Sequence, residues 1–426
     1  MSVYEAPFIM EEICPPEFPE RIFRAEEFVS GGSGRTDDSM AIQRAVDCCA
    51  EAGGGTVLIT AGPWISGPIQ LKRNIRLHLE KDAVVRFSSR YADYLPVAFT
   101  RWEGMECYNY SPLIYACDCE NIAITGEGLL LGGGEAWWPW KQLQQGAAER
   151  LCYAQSEGIP VGERMYGTET DALRPSFIQP IGCKNVLIEG VTVQDGPQWM
   201  LHPVYCENVI VRKVNVFSSG PNTDGLNPDS CRNVLIEDCC FDTGDDCIAV
   251  NSGMNEDGWR VNRPCENILI RGCRMTGGHG GLTIGSGISG GVRNVYAHGC
   301  EISGTNQGIR MKSMRGRGGY AKDIWFEDIV LNGILEEAVQ ISMYYNYSTV
   351  VPKSDAPTRF EGIHLKNIRG NAGKTAVEIR GLPECPMGSL WMENIRLTAK
   401  QTLAVSDAGA VHINGLDAEN ASREMP

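Results

Sequence analysis

Short runs of aliphatic residues recur along most of the chain, and each is introduced by the same small group of polar residues. In the clearest copies a Cys and a charged residue precede an Asn, and residues that are mostly Ile, Val and Leu follow. No helical segment separates the later copies, and each is too short to bury an apolar face alone. The pattern therefore predicts an all-β solenoid in which successive copies stack as coils. The clearest copies begin at Cys119, Cys183, Cys206, Cys231 and Cys265.

The first part of the chain has a different pattern. Residues 1–21 are an irregular lead-in, whereas residues 40–52 carry apolar side chains at helical spacing and are followed by three glycines. Short β-favouring runs come next. We expect a small cap unit at 22–95, with one helix and short strands, over the open end of the solenoid. The solenoid itself is expected at 96–426, with an insertion at about 132–175.

Cysteines fall into two columns of equal phase, one at the start of the copies and one at Cys239, Cys273 and Cys300. Equal phase places such residues above one another in stacked coils, so we expect buried free thiols rather than a metal site. Residues 1–18 show no basic segment followed by an apolar run, so no secretory signal and a cytoplasmic location are expected. No run of about 18 apolar residues occurs, and no membrane span is expected.

The formal net charge of -15 argues against nucleic acid as a partner. It would also repel an acidic substrate unless cations are concentrated at the binding site. Aromatic residues cluster between Trp102 and Tyr115 and again from Trp137 to Trp140. These two clusters fit a buried core and a sugar-binding surface equally well.

Acidic residues that could carry chemistry lie in two neighbouring copies. Asp224 ends the motif Asn222-Thr223-Asp224, and the pair Asp245-Asp246 follows Gly244 one copy later. Hydrolysis of a glycosidic bond needs one acid to protonate the leaving oxygen and one base to activate water, which paired carboxylates supply. Each motif alone is also typical of an ordinary turn.

Later copies place further polar groups in a similar sector when residues are counted from each marker. His279 lies 12 residues after Asn267, just as Asp245 lies 12 after Asn233. Each of these residues alone fits a loop or a solvated strand, but a polar group in register on five consecutive coils predicts a functional strip. The further members of the strip are Arg310, Lys312 and Tyr345.

One further motif, Gly285-Ser286-Gly287-Ile288-Ser289-Gly290, matches a dinucleotide-binding fingerprint. Such a site needs a strand before the glycines and a helix after them. No helix-forming segment follows here, so we expect a turn of the solenoid.

Taken together, the motifs ending in Asp224 and Asp246, Gly278-His279-Gly280 and Arg310-Met311-Lys312 resemble those of the polygalacturonase family of glycoside hydrolases. The resemblance spans nearly the whole chain and implies a right-handed parallel β-helix that cleaves pectin. Met311 stands where the family usually has Ile. A tyrosine follows in the family as well, and Gln340-Ile341 favours Tyr345 over the neighbouring Tyr344 and Tyr347.

The resemblance also implies roles for these residues. Asp245 is the general acid of an inverting hydrolysis, Asp224 and Asp246 hold and activate water, and His279 tunes the acid. Arg310 and Lys312 bind the galacturonate carboxylate, and no metal or cofactor is required. Asn222 and Tyr345 are expected to contact the substrate.

The aromatic clusters and the insertion are similar to those of the bacterial exo-acting branch, which implies release of terminal galacturonate from oligogalacturonides. Three alternatives stay open within the fold: an endo-polygalacturonase, a rhamnogalacturonan or xylogalacturonan hydrolase, and a pectate lyase. Rhamnogalacturonan hydrolases tend to lack the His and Arg-x-Lys motifs, which disfavours them. A non-catalytic carbohydrate-binding solenoid is the alternative from a different class.

Overall fold

A computed structural model describes residues 4–29, 38–345 and 356–420 of the 426-residue chain. Tyr347 lies outside the described residues. Four α-helices are described, at Asp38–Glu51, Trp140–Leu143, Gln145–Ser156 and Asn255–Val261.

Nearly all other regular structure is parallel strand, and the strands stack into a parallel β-helix, as predicted. The largest sheet has 21 strands. They are Ile22–Arg24, Gly55–Ile59, Gly62–Ser66, Ile75–Leu79, Ala83–Phe87, Glu120–Gly126, Leu129–Leu131, Lys184–Glu189, Thr192–Gln194, Glu207–Arg212, Asn215–Phe217, Arg232–Glu237, Cys240–Asp242, Cys265–Arg271, Arg274–Thr276, Val292–His298, Glu301–Ser303, Tyr320–Ile334, Arg359–Ala372, Leu390–Ala399 and Val411–Asn420.

A second wall of the β-helix carries the residues of interest, and we call it the site sheet. Its first part has three strands. The next coils contribute bridging residues, including Leu201 and Leu226, and a further six strands follow. The strands are Ile69–Gln70, Ile114–Cys117, Ile178–Ile181, Ile248–Val250, Gly280–Ile284, Gln307–Lys312, Glu337–Ser342, Thr375–Arg380 and Gln401–Ser406.

The unit expected at 22–95 is continuous with the β-helix. Its strand Ile75–Leu79 pairs in parallel register with Glu120–Gly126, so the sheet has no break at residue 95. Only the helix Asp38–Glu51 acts as a cap: its apolar face, including Ile42 and Val46, is fully buried. This continuity could not be predicted from the sequence, because the early strands are not preceded by the Cys, polar residue and Asn that begin the later copies.

Between residues 98 and 166 two excursions leave the β-helix, where one insertion at about 132–175 was predicted. The first is a hairpin, formed by antiparallel strands Ala98–Trp102 and Met105–Asn109. The second contains the helices at 140–143 and 145–156 and returns through Met165–Tyr166, which pairs with the hairpin. Trp137 and Trp140 are almost fully buried, and Trp137 packs edge to face against both Tyr110 and Trp140, so these aromatic residues form core.

Marker asparagines occupy the same corner of successive coils. Each adopts a left-handed backbone conformation, with φ of 54–60° from Asn74 to Asn294, which Asn tolerates better than most residues. Each carboxamide donates to the Asn of the coil before it, at 2.9–3.2 Å. We call this column the asparagine ladder; its members are Asn74, Asn121, Asn185, Asn208, Asn233, Asn267 and Asn294.

All 17 cysteines lie within the described part of the chain and are free thiols. Those of the two predicted columns are buried, apart from Cys119, which is partly exposed. Among the described residues no helix is both long and apolar enough to cross a membrane.

Two matched Asn→Ala substitutions, one inside the ladder and one outside it, should lower the free energy of unfolding by different amounts. Asn233→Ala should lower the free energy of unfolding by about 1–3 kcal/mol more than Asn394→Ala, because buried amides lose their partners. Asn233 is 4% exposed and makes two ladder bonds, whereas the exposed Asn394 donates one similar bond from a similar φ. Denaturant unfolding of both variants measures the difference, and equal costs would show that the ladder adds no stability.

Candidate active site

Strand register brings the predicted acids together from separate coils. Leu226 of one coil bridges Ile248 of the next, so the positions two residues before them, Asp224 and Asp246, lie side by side. Ile248 in turn pairs with Leu282, which places His279 beside Asp245. The Asp residues meet because the coils stack, not because they are close in the chain.

The carboxylates of Asp224, Asp245 and Asp246 are tightly grouped. One oxygen of each lies within 4.8 Å of the others. Asp224 is 6% exposed and accepts a hydrogen bond from Asn227 Nδ2 at 3.0 Å. Burial and the charges of the other two acids raise the pKa of Asp224 well above its usual value. Asp224 is therefore the acid of this group that holds a proton most strongly in the free protein.

Asp245 has a different environment because it pairs with a histidine. His279 Nδ1 lies 3.0 Å from Asp245 Oδ1, and Asn222 Nδ2 lies 3.5 Å from Oδ2. Burial works to raise the pKa of Asp245, but the hydrogen bond to His279 and the charge of Lys312 outweigh it and hold that pKa below its usual value. The same hydrogen bond raises the pKa of His279, although burial opposes the shift. The pair thus favours imidazolium beside carboxylate.

Asp246 is paired with fixed cations. Its side chain is 1% exposed, Lys312 Nζ lies 2.5 Å from Oδ2, and Arg310 lies 3.5 Å from Oδ1. Burial alone would lower the pKa of Lys312, but Asp246 raises it above the usual value. The Tyr345 ring lies 5.1 Å from Lys312 Nζ and 5.8 Å from the Arg310 guanidinium carbon. Lys312 therefore forms a buried ion pair with Asp246 and is not a free cation available only to a substrate.

A pocket with a volume of about 180 Å³ opens above these groups. Asn222, the three aspartates, Lys312 and Tyr345 line it, so the structure brings most of the predicted residues to one pocket. The turn after Gly280–Ile284 also lines it, so the glycine motif forms a solenoid turn as expected. Lining residues that the sequence analysis did not single out are Glu103, Gly104, Trp199, Asn251 and Met254.

Arg174 fixes Asn222 from below the pocket. Its side chain is fully buried and donates to Asn222 Oδ1 at 2.7 Å and to two backbone carbonyls. With its oxygen engaged in this way, the Asn222 amide presents its NH2 group to Asp245. Arg317 also lines the pocket.

Within the described residues, the three aspartates are the one group of acidic, His or Cys side chains spaced to hold a metal ion. A cation there would compete with Lys312, whose ammonium already contacts Asp246. The donor set is therefore partly neutralised by the chain itself.

Comparison with known proteins gives consistent matches. Residues 164–413 match the model of glycosyl hydrolases family 28. The crystal structure of a hyperthermoactive exopolygalacturonase from Thermotoga maritima is 38% identical and superposes with a TM-score of 0.88 over 94% of each chain. An exo-poly-alpha-D-galacturonosidase from Dickeya chrysanthemi is 25% identical over 94% of this chain and 71% of its own length. A probable polygalacturonase from Vitis vinifera is 28% identical over 87% of this chain and 73% of its own.

Proposed function

Because this chain belongs to glycosyl hydrolases family 28, we propose that it hydrolyses α-1,4-galacturonosidic bonds in pectin-derived oligogalacturonides and releases galacturonate from the chain end. One observation carries the proposal: three carboxylates and Lys312 line a pocket that the excursion residue Glu103 also lines, with Arg310 beside Asp246. The carboxylates supply the hydrolytic chemistry, and the excursion restricts how far a polymer can extend past them.

Asp245 and His279 act together as the general acid. Asp245 has a low pKa beside a histidine whose pKa is raised, so the pair holds one proton that is centred on the imidazole. As the glycosidic bond breaks, that proton moves from His279 to Asp245, and Asp245 gives it to the leaving oxygen. The imidazole is then neutral and Asp245 is again ionised.

Asp246 is the base that takes a proton from the attacking water. Lys312 and Arg310 pair with it inside the protein, where an unpaired carboxylate would be costly. Asp224, with its raised pKa, orients the same water by hydrogen bonding. Arg310 and Lys312 also supply the positive field that an anionic sugar requires in a protein of net charge -15.

Inversion of configuration is the course that membership of family 28 favours. Inverting enzymes usually keep their acid and base roughly 6.5–9.5 Å apart, which leaves room for the attacking water. The nearest oxygens of the three aspartates lie within 4.8 Å of one another, which is shorter than that spacing. The configuration of the first product therefore distinguishes an inverting from a retaining mechanism.

Rival functions differ in their products. A pectate lyase would form unsaturated sugars, and a rhamnogalacturonan hydrolase would need a different repeating unit in this pocket. A non-catalytic solenoid would have no need of a buried, cation-paired aspartate beside a second acid. The cytoplasmic location stays a prediction, and the proposal does not depend on it.

The test is to incubate the protein with trigalacturonate and polygalacturonate and follow product size over time. We expect galacturonate as the first product from both. Intermediate oligomers appearing first from polygalacturonate would contradict exo action, and products absorbing in the ultraviolet would indicate a lyase. Cleavage of a rhamnogalacturonan fragment alone would favour that alternative.

The role of Asp245 predicts a large effect of its substitution. Asp245→Asn should lower kcat by about a hundredfold or more. The control is Asp242→Asn, because Asp242 is exposed on the same coil, and this variant should keep the wild-type kcat.

The stereochemical prediction is that the β-anomer of the new reducing end forms first. Inversion at an α-linked anomeric carbon gives this product directly, and mutarotation then produces the α-anomer. Proton NMR at early times distinguishes the two, and initial α-anomer would show that the mechanism retains configuration.

The proton on His279 predicts the alkaline limb of the pH profile. A raised pKa means that the imidazolium is present below that pKa and is lost as pH rises through it. His279→Asn should lower kcat by about ten- to a hundredfold and move the alkaline limb of kcat/KM to lower pH, because Asp245 then holds the proton alone. The exposed His412→Asn serves as control. An unmoved alkaline limb would remove His279 from the acid couple.

A further inference from the structure

The hairpin turn at Glu103 and Gly104 reaches the active-site pocket from outside the β-helix. The turn is closely packed: a Cβ on Gly104 would lie 3.0 Å from the backbone nitrogen of Met254. Glu103 itself adopts a φ of 45°, a conformation that residues with a Cβ seldom take. An acidic side chain is thus held at a strained position in the wall of a pocket that already contains three acids.

Buried polar contacts hold the hairpin in place. Arg101, just before the turn, donates to Asp229 of the β-helix at 2.8 Å, and both side chains are fully buried. On the other strand, the Glu106 backbone N–H donates to Asp257 Oδ2 at 2.9 Å. Breaking a buried ion pair of this kind is costly, so the turn has a fixed position relative to the aspartates.

The Glu103 carboxylate has unused capacity to accept hydrogen bonds. Gln198 Nε2 donates to Glu103 Oε1 at 3.0 Å, and among the described residues Glu103 forms no salt bridge. Gln198 is 2% exposed, and its Oε1 has no hydrogen-bond partner. Burial raises the pKa of Glu103, although the charges of Lys141 and Arg174 oppose the shift. The Glu103 carboxylate lines the pocket and therefore offers an acceptor to a ligand that brings its own donors.

Sugar hydroxyls are the donors that an oligogalacturonide can offer, whereas its glycosidic oxygens only accept. We propose that Glu103 is a specificity-determining residue that accepts a hydrogen bond from the free 4-hydroxyl of the non-reducing terminal galacturonate. Gln198 positions the carboxylate. This inference rests on the proposed function and explains it: an internal sugar has no proton on O4, and its neighbour would bring a second carboxylate against Glu103.

The non-reducing end suits a fixed acceptor better than the reducing end. The terminal 4-hydroxyl has one configuration, whereas the reducing-end hydroxyl interconverts between two anomers. A rigidly anchored carboxylate can match only one such direction. A site that hydrogen-bonds a substrate hydroxyl also rejects analogues without it strongly, since its own polar groups are then left unpaired.

The experiment compares three trimers: trigalacturonate, its analogue with a 4,5-double bond at the non-reducing end, and the analogue reduced to the alditol at the other end. The unsaturated analogue lacks the 4-hydroxyl. Wild-type protein should cleave it with kcat/KM at least about tenfold below trigalacturonate and should cleave the reduced analogue normally. In Glu103→Gln the ratio of saturated to unsaturated kcat/KM should fall by about tenfold, while Glu135→Gln, exposed on the second excursion, should keep the wild-type ratio.

The outcomes separate this inference from the function on which it rests. Failure of wild-type protein to cleave any trimer would overturn the proposed function. Release of galacturonate with the same ratio in wild type and Glu103→Gln would overturn the role of Glu103 alone. Loss of cleavage on reducing-end reduction would place the recognised terminus at the other end and overturn the assignment. Should Glu103→Gln fail to fold, Glu103→Asn gives the same readout, because Asn tolerates positive φ.

Discussion

The vertical hydrogen bond between one marker asparagine and the next is the interaction on which the rest of the structure depends. Each asparagine turns the chain through a left-handed corner and ties that corner to the coil before it. A coil that slipped by one residue would turn every inward side chain outward. It would also separate Asp224 from Asp246 and Asp245 from His279, which are neighbours only through register. The ladder therefore fixes the catalytic geometry while it fixes the fold.

Register alone would bring three carboxylates into one small volume, where their mutual repulsion would be severe. The chain resolves this by giving each acid a different partner: an amide for Asp224, a histidine for Asp245 and two cations for Asp246. The partners come from the same coil, the next coil and the coil after that. Acids of one chemical type thereby acquire different proton affinities, which is what acid and base roles within one site require.

The sequence contained the information for the coils because stacking imposes a repeat. The equal counts from Asn233 to Asp245 and from Asn267 to His279 predicted a contact that the structure shows at 3.0 Å. The excursions have no such period. Glu103 and Trp199 reach the pocket through tertiary packing, and Arg174 contacts Asn222 across 48 residues. The continuity of residues 22–95 with the β-helix was also hidden, since those strands lack the repeated introduction. The different proton affinities of the aspartates could not be predicted either. They depend on burial and on hydrogen-bond partners, which the spacing of residues along the sequence does not reveal.

This division also separates two kinds of functional constraint. Residues on the coils cannot move relative to one another without breaking the sheet, so they suit chemistry that needs fixed distances. The hairpin bearing Glu103 is joined to the β-helix by a few buried ion pairs, and its length is independent of the coil repeat. A change in such an excursion can alter which end of a sugar chain is admitted while the aspartates keep their positions. The hairpin therefore determines which chain end is recognised, whereas the coils carry the residues that catalyse hydrolysis in the same pocket.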